Sequence, residues 1–452
     1  MTTQPPGPPS ASAGSDVADS EPPADPPVRR RGGLFHHHDF RQLFFGDTIS
    51  QFGTQLTMLA LPILAIRVLG ADAFQMGLLA TCEFLAFLVI GLPAGAWVDR
   101  WRKKRVLVAN DLLRALALGS LPLAWALDVL TFAQMLVVAL VVGCCTVFFD
   151  VAYQSYLPDI VEPKDIGEGN AKLQASQSVA MIGGPALAGV LIKVIGAPLT
   201  ILFDAVSFVG SALFVRRIRH VDTPPPRESR RALHIEIREG LTFVLKHPLL
   251  WRITACTSLS NFFTSVSGAM IVLYALKLGL DEGQLGIGFA IGAVGGLLGA
   301  LATTKATAWV GEGRVIPLSI LISLPSGVLM PLAGTVFNPM AAIIGYMLLR
   351  TFGVVLYNVA QVSFRQRLCP RQMLGRMNAS IRFLVWGVMP IGSFIGGVIG
   401  HNFGLRTVFV VEAVGIVLAA LPVLISPLLT MRDLPRELDL LSDPDESRPS
   451  PS

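Results

Sequence analysis

Long apolar runs separated by short polar stretches recur along most of the chain, from Phe40 to Leu429. Most runs are close to the roughly 20 residues that an α-helix needs to cross a bilayer, and the longer ones can tilt. The pattern predicts an all-α membrane protein with twelve transmembrane helices. The twelve predicted segments are Phe40–Leu69, Gln75–Val98, Lys104–Leu127, Thr131–Gln154, Ala171–Ile195, Pro198–Val215, Leu250–Leu276, Gln284–Thr307, Val315–Val336, Met340–Gln361, Met373–Gly400 and Leu405–Leu429.

The longest internal polar stretch, residues 216–249, divides these segments into two groups of six. It is rich in Arg and Pro and contains a predicted amphipathic helix, Ala232–Lys246. We therefore predict six-helix bundles over residues 40–215 and 250–429, joined by a cytoplasmic linker over 216–249. Residues 1–39 and 430–452 are predicted to be disordered cytoplasmic tails, because polar residues and Pro dominate them.

An internal repeat relates the two bundles. Asn170 is followed by glycines 14 and 19 residues later, and Asn378 is followed by glycines at the same two distances. These positions lie in the fifth and eleventh segments, which are six apart, as duplication of a six-helix unit requires. The repeat predicts two pseudo-symmetric bundles around a central cavity.

The distribution of Lys and Arg predicts the orientation in the membrane. With both termini cytoplasmic, the inside segments carry 29 of these residues and the outside segments carry four. Cytoplasmic loops of membrane proteins carry the excess of positive charge. We therefore expect a multi-pass protein of the bacterial cell membrane with both termini inside.

Composition excludes several other classes of protein. Hydrophobic residues make up 52% of the 452 and charged residues 15%, well below the roughly 25% charged residues of soluble domains. The chain has no nucleic-acid-binding motif and no HExxH or GxSxG sequence, so we expect neither a nucleic-acid partner nor an enzyme. The five cysteines lack metal-ligand spacing, and His36–His38 stand without partner ligands. No metal and no cofactor are predicted.

The stretch Gly91–Arg105, GLPAGAWVDRWRKKR, carries the strongest local signal. Gly91, Gly95 and Asp99 are spaced four apart and share one helix face, where the glycines would let a neighbouring helix approach closely. Asp99 ends that face, and a carboxylate there can serve the positive N-terminal end of another helix. The alternative is an ordinary positive-inside loop after a membrane helix.

This stretch resembles the G-x-x-x-D-[RK]-x-G-[RK]-[RK] signature of the major facilitator superfamily of secondary transporters. Gly95, Asp99, Arg100, Lys103 and Lys104 fall on the signature, and Arg102 stands where the family has glycine. The resemblance implies a gating motif between helices 2 and 3. It also implies that Asp99 caps the N-terminus of helix 11, near Leu374.

A second resemblance concerns the direction of transport. Gly184, Pro185 and Gly189 fall on the fifth-helix pattern G-P-x-x-G-G, with Ala188 in place of the first paired glycine. In the family this pattern accompanies antiporters that export drugs and other small molecules. The alternative is ordinary Gly and Pro packing in a membrane helix.

The sequences LPAGAWVDR and FFDVAYQSYLPDIV resemble those of the bacterial group of macrolide-efflux and siderophore-exporter proteins, which are drug:proton antiporters. The resemblance implies proton-coupled efflux, by a monomer, of a small and largely apolar molecule such as a drug, a macrolide-like compound or a siderophore. The alternatives are an uptake carrier of the same superfamily and a membrane receptor or enzyme that transports nothing.

Polar stripes on predicted helices mark candidate cavity residues. Asp47, Gln51 and Gln55 are four apart on the first helix, and the resemblance places helices 1, 4, 7 and 10 at the cavity. The alternative for each polar residue is a hydrogen bond between helices. The candidate cavity residues are Gln51, Gln55, Asn261, Tyr346, Arg350, Tyr357 and Gln361.

Charged residues inside the membrane are costly and seldom face lipid, so they mark structural pairs or coupling sites. Asp111 and Arg114 lie three apart and are predicted to neutralise each other. Arg350 has no acid within a turn of its own helix, so we expect its partner on another helix. The candidates for proton coupling are Asp47, which heads the stripe on helix 1, then Glu83 and Asp150.

Overall fold

The structure, a computed structural model, describes residues 33–98, 100–222, 233–369 and 374–431, and these stretches are almost entirely α-helical. Eleven helical segments among them are long and apolar enough to cross a membrane, and Ala73–Val89 is a shorter apolar helix. Together they form the twelve predicted spans, which we number TM1 to TM12.

The first six spans follow one another with short turns. Their helices are His38–Leu69 (TM1), Ala73–Val89 with Gly91–Val98 (TM2), Lys103–Ala126 (TM3), Phe132–Ile160 (TM4), Ile166–Ile195 (TM5) and Ala197–Arg216 (TM6). Short 3₁₀ turns precede TM1 and TM5, at Gly33–His36 and Pro163–Asp165.

A linker helix, Leu233–Lys246, leads into the second six spans and lies where the sequence predicts an amphipathic helix. Their helices are Leu250–Gly268 with Ile271–Lys277 (TM7), Glu282–Val310 (TM8), Glu312–Ser323 with Ser326–Leu329 (TM9), Pro339–Leu368 (TM10), Leu374–Trp386 with Met389–Phe403 (TM11) and Leu405–Leu424 (TM12). A 3₁₀ turn, Pro427–Leu429, follows TM12.

The spans place the described ends of the chain, Gly33 and Met431, at the same end of the bundle. We call this end the near end. The far end carries the turns between TM1 and TM2, TM5 and TM6, TM7 and TM8, and TM11 and TM12.

The two halves repeat in detail at the far end. TM2 and TM8 both begin with a capping box, in which an Asp and a Gln three residues later bond each other's backbone N–H: Asp72 with Gln75 and Asp281 with Gln284. The turns into TM6 and TM12 also match. Gly196 has φ 84° and ψ 161°, and Gly404 has φ 85° and ψ 159°, a conformation that only glycine adopts freely.

Helix contacts divide the protein into the two predicted bundles. Within the first half TM1 packs on TM5 and TM6, TM3 on TM4 and TM6, and TM2 on TM4. Within the second half TM10 packs on TM8 and TM9, and TM7 packs on TM11 and TM12. The most extensive contacts between the halves join TM5 to TM8 and TM2 to TM11, which we call the two seams.

Glycine lets the backbones approach at both seams. A Cβ on Gly189 of TM5 would lie 2.7 Å from the Glu282 carbonyl oxygen and 3.0 Å from Gly286 Cα, both in TM8. A Cβ on Gly77 of TM2 would lie 2.5 Å from Gly397 Cα in TM11. Because lipid provides no hydrophobic drive between helices, such close packing is a main source of their association.

Several boundaries differ from the sequence predictions. The predicted ninth segment, Val315–Val336, is helical only to Leu329, because Pro325 interrupts the helix and residues 330–338 form turns. TM4 and TM10 extend beyond their predicted ends, to Ile160 and Leu368. Helical structure begins at Gly33, inside the predicted tail, whereas residues 1–32 and 432–452 lie outside the described stretches.

Gly189→Ala is expected to weaken the TM5–TM8 seam, because its methyl group would collide with the backbone of TM8. Overpacking of this kind costs about 1–3 kcal/mol, so the thermal unfolding temperature of the protein in detergent should fall. Gly183→Ala is the matched control in the same helix, since its methyl would meet only Phe52, at 3.7 Å. Equal effects of the two substitutions would contradict this account of the seam.

Candidate functional site

The candidate site is the region between the two halves around an ion pair that joins them, which we call the cleft. Asp150 of TM4 accepts a hydrogen bond from the Arg382 guanidinium of TM11, at 3.1 Å. Both side chains are about a third exposed, at 33% and 29%. Arg382 also packs against the rings of Trp386, 4.9 Å from the ring centroid, and Phe87 of TM2, at 5.9 Å.

Sequence reasoning identifies Asp150 but misses Arg382. The predicted segment Met373–Gly400 contains Arg382, but the charge count assigns this residue to the cytoplasmic side. The structure places it more than two turns inside TM11. Its spacing of four from Trp386, on one helix face, is the signal that could have found it. Phe87 and Trp386 also contact each other, at 4.6 Å between centroids, so the ion pair has an aromatic wall.

Asp47 lies deeper in the N-terminal half and is nearly inaccessible, with 4% of its surface exposed. The Gln51 amide approaches its carboxylate at 3.4 Å, and Tyr153 of TM4 lies beside it. Gln55, the third member of the stripe, packs against Gly184 of TM5, where a Cβ would overlap its side chain. Glu83, the other acid candidate, is half-buried on TM2.

The predicted partner of Arg350 is present on another helix. Arg350 of TM10 forms an ion pair with Glu412 of TM12, which is only 1% exposed, and it also donates to Thr264 of TM7. Tyr346 donates to the same carboxylate at 2.7 Å and accepts from Arg350. This pairing confirms the prediction. The cluster lies within the C-terminal half and joins three of its spans.

Other candidate cavity residues make contacts between or within helices of the C-terminal half. Asn261 donates to the Val385 carbonyl of TM11 at 3.0 Å. The Tyr357 hydroxyl bonds Thr257 of TM7 at 2.8 Å. Gln361 is buried and approaches Asn358 of its own helix at 3.4 Å. Their role in a cavity stays a prediction, and the alternative of helix–helix hydrogen bonding matches Asn261 and Tyr357 better.

The basic residues of the gating motif contact other spans of their own half. Lys103 donates to Asp159 at 2.7 Å and to the Ser155 carbonyl at 2.9 Å, at the near end of TM4. Lys104 donates from its Nζ to the Ile218 carbonyl and from its backbone N–H to Asp222, at 2.7 Å, both just after TM6. Arg100 is exposed, and Asp99 lies outside the described residues.

The prediction of close helix packing at Gly91 and Gly95 is wrong for this structure, because a Cβ on either would meet nothing within 4 Å. The reason is that TM2 and TM11 diverge towards the near end. Their backbones touch at Gly77, and Thr81 donates to the Pro390 carbonyl at 3.2 Å. Closer to the near end, the side chains of Phe87 and Trp386 join the two spans.

Polar side-chain contacts between the halves close the far end beside both seams. Lys193 of TM5 pairs with Asp281 of TM8 at 3.3 Å, and His401 of TM11 pairs with Asp72 of TM2 at 3.1 Å. Lys193 and His401 are equivalent positions of the repeat, 208 residues apart. A hydrogen bond from the Gln284 backbone N–H lowers the pKa of Asp281, and the contact with Lys193 lowers it further. Asp281 therefore stays ionised at neutral pH. Arg67 of TM1 adds a third pair, with Glu282.

The chain matches the family model described as Major Facilitator Superfamily over residues 43–391. It is 25% identical to the multidrug efflux pump Tap of Mycolicibacterium fortuitum, over 89% of this chain and 97% of that protein. It is 21% identical to macrolide efflux protein A of Streptococcus pyogenes, over 84% of this chain and 94% of that protein.

Solved transporters share the fold. A mutant of the nucleoside transporter NupG aligns with a TM-score of 0.72 at 13% identity, covering 85% of this chain and 99% of that one. A bacterial homologue of the iron transporter ferroportin aligns with a TM-score of 0.69 in its inward-facing state, at 17% identity, covering 85% of this chain and 97% of that one. The outward-facing state gives 0.59, at 18% identity, covering 85% and 98%.

Glu412→Gln is expected to destabilise the protein by about 3 kcal/mol, the typical cost of leaving a buried charge without its partner. Thermal unfolding in detergent measures the effect. The double variant Arg350→Met/Glu412→Gln should recover part of the loss, since it removes the unpaired charge as well. Glu162→Gln, at the exposed pair with Lys164, is the control and should cost less than about 1 kcal/mol. Additive losses in the double variant would contradict the buried pair.

Proposed function

Because the chain belongs to the Major Facilitator Superfamily, we propose that it is a proton-coupled exporter of a small, largely apolar molecule. The substrate class is a drug, a macrolide-like compound or a siderophore, moved out of a bacterial cell by alternating access. The similarity to efflux pumps over about nine tenths of the chain is the observation that carries this proposal. The aromatic wall of Phe87 and Trp386 in the cleft suits such a substrate.

The orientation follows from the charges. With both termini in the cytoplasm, the near end and its 29 Lys and Arg face inwards and the far end faces outwards. The structure then corresponds to an inward-facing state, since the ion pairs and glycine contacts close the outer end. The higher similarity to the inward-facing than to the outward-facing ferroportin homologue agrees with this assignment.

Asp150 and Arg382 can couple proton binding to this movement. Their ion pair joins TM4 of one half to TM11 of the other, in a cleft that water reaches. A proton on Asp150 removes one charge of the pair and with it the attraction between the halves at this level. A partly exposed pair contributes on the order of 1 kcal/mol, enough to shift a two-state population about five-fold.

We also propose roles for three further acidic residues, Asp47, Glu83 and Asp99. Asp47 is the proton-responsive residue of TM1 and Glu83 is the second candidate, because neither has an ion-pair partner among the described residues. Asp99 caps the N-terminus of TM11 when the near end closes. The first helix of TM11 begins at Leu374, the position that this contact needs.

Transport in inverted membrane vesicles tests the proposed function. A fluorescent macrolide or dye should accumulate in vesicles that contain the protein when their interior is acidic, and collapse of the proton gradient should release it. Accumulation that ignores the gradient would exclude proton coupling. Accumulation only in right-side-out vesicles would favour the uptake carrier.

Asp150→Asn and Asp47→Asn separate the coupling candidates in the same assay. Each is expected to abolish accumulation against the substrate gradient if it carries the proton, while downhill exchange of substrate continues, because the amide cannot ionise. Asp128→Asn, at an exposed turn with φ 55°, is the control. If a variant still concentrates substrate against its gradient, the residue replaced in that variant is not the coupling acid.

A further inference from the structure

A cavity outside the cleft opens at the near ends of TM3 and TM6. Its volume is about 520 Å³, and residues of TM3 and of the segment after TM6 line it. The polar lining residues are Arg102, Lys104, Arg105, Arg216, Arg219, His220 and Asp222. Five of these are Lys or Arg against a single Asp, so the cavity attracts anions.

The walls of the cavity are fixed by hydrogen bonds. Asp39 accepts from the backbone N–H groups of Arg219 and His220, at 2.8 and 3.0 Å, which anchors the segment after TM6 to the start of TM1. Lys104 holds the same segment through Ile218 and Asp222. The basic side chains therefore project from a backbone that is already in place, which lowers the entropy cost of binding.

The backbone of TM3 adds to the positive potential. Its first helical residue is Lys103, and the preceding residue, Arg102, makes no side-chain cap. The N-terminal end of the helix dipole thus faces a site that already attracts anions. One oxygen of Asp222 bonds the Lys104 N–H, and its other oxygen is buried without a hydrogen-bond partner in the described part of the chain.

The remaining wall is apolar and continues into the surface that faces lipid. Val108, Ala109 and Leu112 line the cavity below the basic residues. Beyond them, Leu116 of TM3 is 73% exposed and Leu213 of TM6 is 52% exposed. An occupant of this site therefore combines an anionic group with an apolar chain that runs along TM3 and TM6.

We propose that this cavity binds the headgroup of an anionic glycerophospholipid such as phosphatidylglycerol. The phosphodiester lies among Arg105, Arg216 and Arg219. The acyl chains follow the exposed apolar faces of TM3 and TM6. Basic pockets between membrane helices are suited to such headgroups, and each Lys or Arg near the surface contributes to binding.

A lipid would use both the basic residues and the apolar wall of the cavity. Two other possible occupants, free phosphate and the acidic C-terminal segment, would leave the apolar wall without a contact. Free phosphate needs only the basic residues. The C-terminal segment, which carries six Asp and Glu between residues 433 and 446, would match the charge but not the continuation along the lipid-facing surface. Both are alternative outcomes of the experiment.

Native mass spectrometry of the full chain in detergent, after removal of bound lipid, tests the proposal. Phosphatidylglycerol should bind more tightly than phosphatidylcholine with the same acyl chains. The double variant Arg105→Gln/Arg219→Gln should weaken binding of phosphatidylglycerol about thirty-fold, because it removes two positive charges from the site. Arg41→Gln removes an exposed charge at the same end of the bundle, away from the cavity, and should leave binding unchanged.

Leu112→Trp provides a second variant that changes no charge. It should weaken binding of phosphatidylglycerol by filling the apolar wall, and size-exclusion profiles confirm that each variant is folded. Equal binding of the two lipids, or equal losses in the Arg41 variant, would overturn the proposal. The proposal would also be overturned if inorganic phosphate competed for the site and Leu112→Trp did not change that competition. Lipid binding that occurs only after residues 432–452 are removed would likewise contradict it, because it would show that the C-terminal segment occupies the site.

Discussion

The structure depends on one constraint: in lipid, the two halves gain little from burying apolar surface against each other. They must instead approach until the backbones touch, and only glycine allows this. Gly189 with Gly286 and Gly77 with Gly397 provide that approach at the two seams. Every other contact between the halves, including the ion pairs at the far end and the pair in the cleft, is positioned by these two lines of contact.

The ion pairs of the spans divide into two kinds by where their partners lie. Asp111 with Arg114 and Glu412 with Arg350 are each complete within one half, so movement between the halves leaves them intact. Arg114 is further held between the rings of Phe149 and Phe208, each 4.3 Å away. Asp150 and Arg382 belong to different halves. A pair of this kind changes its energy whenever the halves move, which is the property that coupling requires.

Much of the fold could be predicted from the sequence, because bilayer thickness and the repeat both leave periodic signals. The twelve spans, the linker helix, the Asp111–Arg114 pair and a partner for Arg350 on another helix follow from length, spacing and the cost of unpaired charge. The identity of partners across the cleft could not be predicted. Nothing local to Asp150 points to Arg382, since the contact depends on how two rigid halves meet.

The same limit applies to single residues of the candidate site. Tyr357 and Asn261 stand on helix faces that could line a cavity or contact a neighbouring helix, and one sequence does not distinguish these. Gly91 and Gly95 have the spacing of a packing face, but a Cβ on either would meet nothing within 4 Å among the described residues. Element types and local pairs are encoded locally, whereas the relative placement of the halves is encoded in contacts between distant residues.

The Gly77–Gly397 contact near the far end also sets the mechanical scale of the protein. TM2 continues for 21 residues from Gly77 to Val98, a lever arm of about 30 Å at 1.5 Å per residue. A rotation of about 10° about this contact displaces the opposite end of the lever by about 5 Å, close to one helical turn. Because the contact is between backbones, the two halves can rotate about it without repacking side chains. The opening between the halves is then widest at the near end, which is farthest from the contact.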